Sequence, residues 1–184
     1  MGDVVLLHSA YGLRQAVLGD ARRLRAAGHH VTTPDLYEGL VFDDLHAGMA
    51  EKNRIGSTEL TKRARLAVRA LPPSRHRVFA GWSMGAAIAT DLAREHGGAG
   101  LILIASEIAL AGPDDMPGLP LHRVQIHAAE DDEWIDEDDV AGAARRGVQV
   151  FRYRGGHIFT DQGLPDYNLT SAQLLWERVL AFLG

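Results

Sequence analysis

The five residues Gly81-Trp82-Ser83-Met84-Gly85 constrain this chain more than any other stretch. They stand between a short apolar run, Val78–Ala80, and a small-residue segment up to Ala93 that reads as helix. A serine at such a strand-to-helix corner, in a G-x-S-x-G setting, has its hydroxyl pushed out above a sheet. The glycines have a steric reason, because the positions two before and two after the serine face crowded backbone where a side chain would clash. The helix that starts behind Ser83 aims its free N–H groups and positive dipole end at any anion formed there. The five-residue pattern arises by chance in a chain with 20 glycines, so its meaning comes from the flanking strand and helix.

The same alternation extends along the whole chain. Val4–Leu7 is a buried-strand signal, followed by a loop at His8-Ser9-Ala10-Tyr11-Gly12. Between Leu13 and Ala27, helical spacing puts Leu13, Val17, Ala21, Leu24 and Ala27 on one face, with Gly28 as the cap. His30–Thr33 reads as a second strand, Glu38–Ser57 as a connecting loop with at most a turn of helix, and Thr58–Leu71 as a helix stopped by Pro72-Pro73. Beyond the elbow, Leu101–Ala105 is a strand buried on both faces, Ala109–Pro120 an irregular loop, and Val124–Ala128 a fifth strand. Asp136–Arg146 is a short helix and Val148–Tyr153 a sixth strand. Tyr167–Leu183 closes the chain as an amphipathic helix, with Leu174, Leu175, Val179, Leu180 and Leu183 inward. Short apolar strands joined by helices imply an α/β fold: a mostly parallel sheet of about six strands, covered on both faces. Chemistry in such sheets sits beyond the carboxyl ends of the strands.

At 184 residues the expectation is a single domain spanning 1–184, with no large cap. Net charge is −5 and no basic patch is concentrated enough for nucleic acid; the acidic residues gather at Asp114-Asp115 and Glu130–Asp139. The chain has no cysteine, so its nucleophile is not a thiol. The first residues read as a strand rather than a signal peptide, and no stretch is long enough to span a membrane, which implies a cytoplasmic protein without membrane partners. His29 and His30 are adjacent on a strand and point to opposite sides, so no metal is expected, and no cofactor.

A serine hydroxyl needs a base beside it, itself oriented by an acid. In folds built on this corner the partners follow in the order Ser, Asp/Glu, His. Of the later histidines, His96 ends the elbow helix, His122 precedes the fifth strand and His127 lies within it. His157, in a Gly-Gly loop past the last strand, is placed to serve as base. The acid belongs to the run Glu130, Asp131, Asp132, Glu133, most of which must be solvated surface. Asp132 is favoured because Trp134-Ile135 would tuck the turn onto the core and aim it inward. The oxyanion needs two donors: the N–H of Met84 and one from the first-strand loop, for which Ala10 is favoured. Tyr11, Trp82 and Ser9 are candidates to line the substrate pocket.

HSAYGL, TPDLYEG, FAGWSMGA, QIHAAEDDEWI and YRGGHIFTD, in this order and spacing, resemble the dienelactone hydrolase family of α/β-hydrolases, from Val4 to the closing LLWERVLAFL. The resemblance places the family's acid at Asp132 and its histidine at His157, and implies a carboxylic ester hydrolase. Three departures matter. The family's founding enzymes use cysteine where this chain has Ser83. They carry a glutamate at the position of Ser9. They also place a carboxylate-binding arginine four residues after the histidine, where this chain has Asp161, so repulsion of a carboxylate-bearing dienelactone is expected. The short segment before the elbow predicts a small or open pocket. Small carboxylic esters or lactones are the expected substrates. The alternatives are a non-catalytic binding protein on a hydrolase scaffold and an acyltransferase or perhydrolase using the same three residues. A homodimer stays open.

Overall fold

Strands and helices alternate because each apolar strand can bury both faces only if helices cover them. The computed structural model describes residues 2–112, 115–130 and 132–184. Among these, six strands form one all-parallel sheet: β1 (Asp3–Leu7), β2 (His30–Thr32), β3 (Arg77–Trp82), β4 (Gly100–Ile104), β5 (Val124–Ala129) and β6 (Gln149–Tyr153), in spatial order β2-β1-β3-β4-β5-β6. Six α-helices accompany them: α1 (Gln15–Ala26), α2 (Leu45–Ile55), α3 (Ser57–Arg69), α4 (Met84–His96), α5 (Glu137–Arg145) and α6 (Leu169–Leu183). Asp114 and Asp131 lie outside the described residues. No helix among the described residues is long and apolar enough to cross a membrane.

The period-2 alternation of the strands sorts the core into two layers. Val5, Leu7, Phe79, Leu101, Leu103 and Ile126 face α3, α4 and α5. Val4, Leu6, Val78, Ala80, Trp82 and Ile102 face α1 and α6. The central strands β3 and β4 are buried at every residue, as a strand covered on both sides must be. Helix α1 ends at the expected glycine: Gly28 takes φ +92°, its N–H reaches Arg25 O, and His29 N–H reaches Leu24 O, which satisfies the last carbonyls.

Three expectations are corrected. The segment read as a loop contains α2, with Asp44 as its N-cap accepting from the Ala47 N–H at 2.8 Å. Ala27 is exposed, because α1 has already ended at Ala26. On α6, Leu174 is 37% exposed, while Trp176 and Phe182 turn inward beside Leu175 and Val179. Leu180 and Leu183 pack against the same layer from partly buried positions, so the expected face holds except at Leu174 and is widened by the two aromatics.

Candidate active site

Three loops at the carboxyl ends of β3, β5 and β6 meet above the sheet. Ser83 leaves β3 with φ +50° and ψ −114°, a conformation L side chains rarely adopt, and its N–H donates to Ile104 O at 2.8 Å, which ties the corner to β4. A Cβ at Gly81 would stand 2.5 Å from the Gly85 carbonyl carbon, and one at Gly85 would stand 2.4 Å from His8 O. Both glycines are therefore required by close backbone approach. Met84 opens α4, so its N–H has no intrahelical acceptor.

His157 follows β6 in a loop held by Asp166, whose carboxylate accepts from the Ile158 N–H at 3.1 Å and whose carbonyl accepts from the Gly156 N–H at 3.0 Å. His157 Nε2 lies 2.9 Å from Ser83 Oγ, and Nδ1 lies 2.7 Å from Asp132 Oδ2. The carboxylate can only accept, so the Nδ1 proton faces Asp132 and the Nε2 lone pair faces the serine hydroxyl. The Asp132 side chain is 1% exposed and that of His157 10%, so the acid is sealed and the base is reachable. The other Asp132 oxygen accepts from the Trp134 N–H at 3.1 Å. Glu130 and Glu133 are exposed, and Asp131 is outside the described residues. Of the apolar pair only Ile135 is buried; Trp134 is 61% exposed, its ring 6.1 Å from that of His157. Glu107, just past β4, is held above the usual carboxylate range, chiefly by burial, with Asp139, Asp136 and Asp132 adding repulsion.

The first-strand loop is braced from three directions. His8 donates from Nδ1 to Ser9 O (2.7 Å) and accepts the Leu36 N–H at Nε2 (3.0 Å), and burial lowers its pKa, so it is neutral. Ser9 Oγ accepts from the Tyr11 N–H at 3.3 Å. Helix α2 butts against the loop so closely that a Cβ on Gly48 would lie 2.3 Å from Ala10 O. Among the described residues, no protein group accepts from the Ala10 N–H. Neither α2 nor Asp166 was foreseen as support for the site. The Asp44 cap was the available signal for α2; spacing offers none for Asp166.

One expectation about the pocket needs correction, and a second gains a structural setting. Trp82 does not line the site: it is 2% exposed, donates from Nε1 to Thr160 Oγ1 at 2.8 Å and packs on Trp176. Strand alternation sends its side chain to the α1/α6 layer with Val78 and Ala80. Asp161 does not stand as a free anion either. Its Oδ2 accepts from Arg14 Nε at 2.6 Å, and Arg14 also donates to Phe42 O at 2.7 Å. Arg14 also pairs with Asp43 at 2.5 Å, so one guanidinium serves two carboxylates and the group keeps a net negative charge. Ser9 and Tyr11 are 6% and 7% exposed, with the Arg14 guanidinium 5.9 Å from the Tyr11 ring.

Structural comparison places this architecture among the α/β hydrolases. A promiscuous phosphotriesterase, described as dienelactone hydrolase-like and drawn from metagenomic libraries, superposes with a TM-score of 0.75 at 22% identity, over 100% of this chain and 85% of that one. One of the metagenome-derived lipolytic enzymes LipS and LipT gives 0.66 at 18%, covering 98% and 92%. A thioesterase domain from the curacin biosynthetic pathway gives 0.65 at 14%, covering 97% and 90%. At these identities the likeness establishes the fold. No curated protein matches the sequence. The model of the dienelactone hydrolase family matches residues 2–184, and the chain belongs to that family.

Proposed function

We propose that the protein is a serine-dependent hydrolase that cleaves small carboxylic esters or lactones through an acyl-enzyme on Ser83. The observation that carries this reading is the unbroken chain Asp132–His157–Ser83, with bonds of 2.7 and 2.9 Å. Ser83 Oγ attacks the carbonyl carbon while its proton passes to His157 Nε2. Asp132 keeps the imidazole in the required tautomer and stabilises the imidazolium. The N–H groups of Met84 and Ala10, which have no protein acceptor among the described residues, take the oxyanion, and the Ser9–Tyr11 loop borders the acyl group. The intermediate collapses, the C–O bond breaks, and His157 returns its proton to the leaving alkoxide. Water then attacks the acyl carbon, gives a proton to His157 and releases the acid, and Ser83 regains its proton. Because an alcohol is not ionised beforehand as a low-pKa thiol can be, the nucleophile depends on His157 throughout.

The test is hydrolysis of p-nitrophenyl acetate. Ser83→Ala lowers kcat by about 10⁴–10⁶-fold, and a fluorophosphonate labels the native chain but not the variant. Turnover that survives Ser83→Ala undiminished overturns the proposal.

A further inference from the structure

On the α6 side of β5 and β6 lies a polar ladder that ester cleavage does not use. The Tyr153 hydroxyl is 2.7 Å from His127 Nδ1, and His127 Nε2 is 3.0 Å from Gln125 Oε1. Gln125 Nε2 donates to Gln149 Oε1 at 3.2 Å, and Gln149 Nε2 donates to His122 O at 2.8 Å. His127 is wholly buried, and burial first, then the nearby Arg178 charge, bring its pKa down to about 3. The ring is therefore neutral, and the ladder has one direction: phenol to Nδ1, Nε2–H to the first amide oxygen, and onward to His122. Each glutamine oxygen thus accepts one hydrogen bond within the ladder, and each Nε2 keeps a second hydrogen.

Over these amides opens a cavity of about 350 Å³, lined by Arg123, Gln125, Gln149, Phe151, Arg178 and Phe182. Its volume is at the small end of ligand pockets. The guanidiniums are held by stacking: Arg178 lies 4.5 Å from the Phe151 ring centroid and Arg123 4.1 Å from that of Phe182. Arg123 donates from Nε and Nη1 to Ala99 O and Phe182 O, which leaves Nη2. Arg178 Nη1 is buried with no hydrogen-bond partner among the described residues. No carboxylate lines the cavity, although the chain has a net charge of −5. Every polar side chain on its wall carries hydrogens to donate, and none is an anion.

We propose that this cavity is a second small-molecule site, which takes a carboxylate or phosphate group against Arg178 and Arg123 and an apolar body between Phe151 and Phe182. Two guanidiniums beside amide donors, with no carboxylate among them, favour an oxyanion and disfavour a cation. The site lies where β5 and β6 begin, at the opposite end of the strands from Ser83, and so stands independently of the proposed hydrolysis.

The experiment is an NMR titration of the arginine Nε–H resonances in the full chain, once with benzoate and once with inorganic phosphate. Saturable shifts at Arg178 and Arg123 are expected, unchanged in Ser83→Ala and weakened about tenfold in affinity by Arg178→Gln. Response to one anion alone upholds the site and identifies its headgroup. Arg123→Gln gives the same reading should Arg178→Gln fold poorly. The proposal is overturned if neither anion produces a saturable shift, if both glutamine variants bind as the native chain does, or if the shifts centre on His157.

Discussion

Two imidazoles of this protein stand in hydrogen-bond chains of nearly equal bond length, and their surroundings give them opposite capacities. His157 sits between a carboxylate and an alcohol, at the end of a loop, with a tenth of its side chain open. His127 sits between a phenol and an amide, wholly enclosed, with the Arg178 charge nearby. The first ring faces a carboxylate and an open edge, whereas desolvation and Arg178 hold the second ring neutral. The difference teaches that a hydrogen-bonded histidine becomes a candidate base through an anionic neighbour and an open edge. Hydrogen bonding alone does not separate the two.

The largest test of that contrast is Asp132→Asn. The amide removes the charge and disturbs the tautomer, so kcat should fall about 10⁴-fold in ester turnover assays, while the fold, followed by circular dichroism, persists. A loss below about tenfold would erase the distinction drawn between the two rings. A smaller effect is expected from Gly48→Ala. The new methyl must displace Ala10 or α2, because 2.3 Å separates its position from Ala10 O, and misplacing an oxyanion donor costs on the order of 10²-fold in kcat, with KM for a small ester little changed. Steady-state kinetics separates the two constants.

The smallest effect on activity belongs to His127→Gln, which leaves kcat within about twofold and lowers stability to urea by about 1–3 kcal/mol through its orphaned partners. It also changes the response to acid. The folded pKa of His127 is depressed to about 3, whereas the unfolded chain protonates near 6.5. The contribution of His127 is thus fully present above pH 6.5 and is lost as pH falls from there toward 3, by about 1.4 kcal/mol per unit. Urea midpoints across that range should show a shallower decline in the variant. An equally steep decline would mean that His127 is not the sealed, neutral member of the pair.

The elements that could be read from residues alone are those whose burial repeats. All six strands lie where their apolar runs predicted, and Ser83 and His157 were singled out by motif and order, whereas Asp132 stood out clearly from Glu130, Asp131 and Glu133 only through the family resemblance. Helix α2 escaped because its one buried residue is Gly48, which leaves no apolar stripe to detect. On α6, Leu174 was read as inward with Leu175, but it is exposed, and Trp176 and Phe182 are buried instead through packing that spacing does not record. Trp82 was misassigned although the alternation with Val78 and Ala80 carried the answer. The Arg14–Asp161 pair joins residues 147 positions apart, and no local pattern announces it.

The backbone of Ser83 has a consequence for how this chain can change. Holding an L-residue at φ +50°, ψ −114° costs about 1–3 kcal/mol, and glycine would relieve that cost while giving back roughly 0.5–1 kcal/mol through a looser unfolded chain. The most robust version of this protein is thus one that has discarded its own reactive group. A selection for heat resistance without a parallel selection for turnover would drift toward an inert scaffold at this single position.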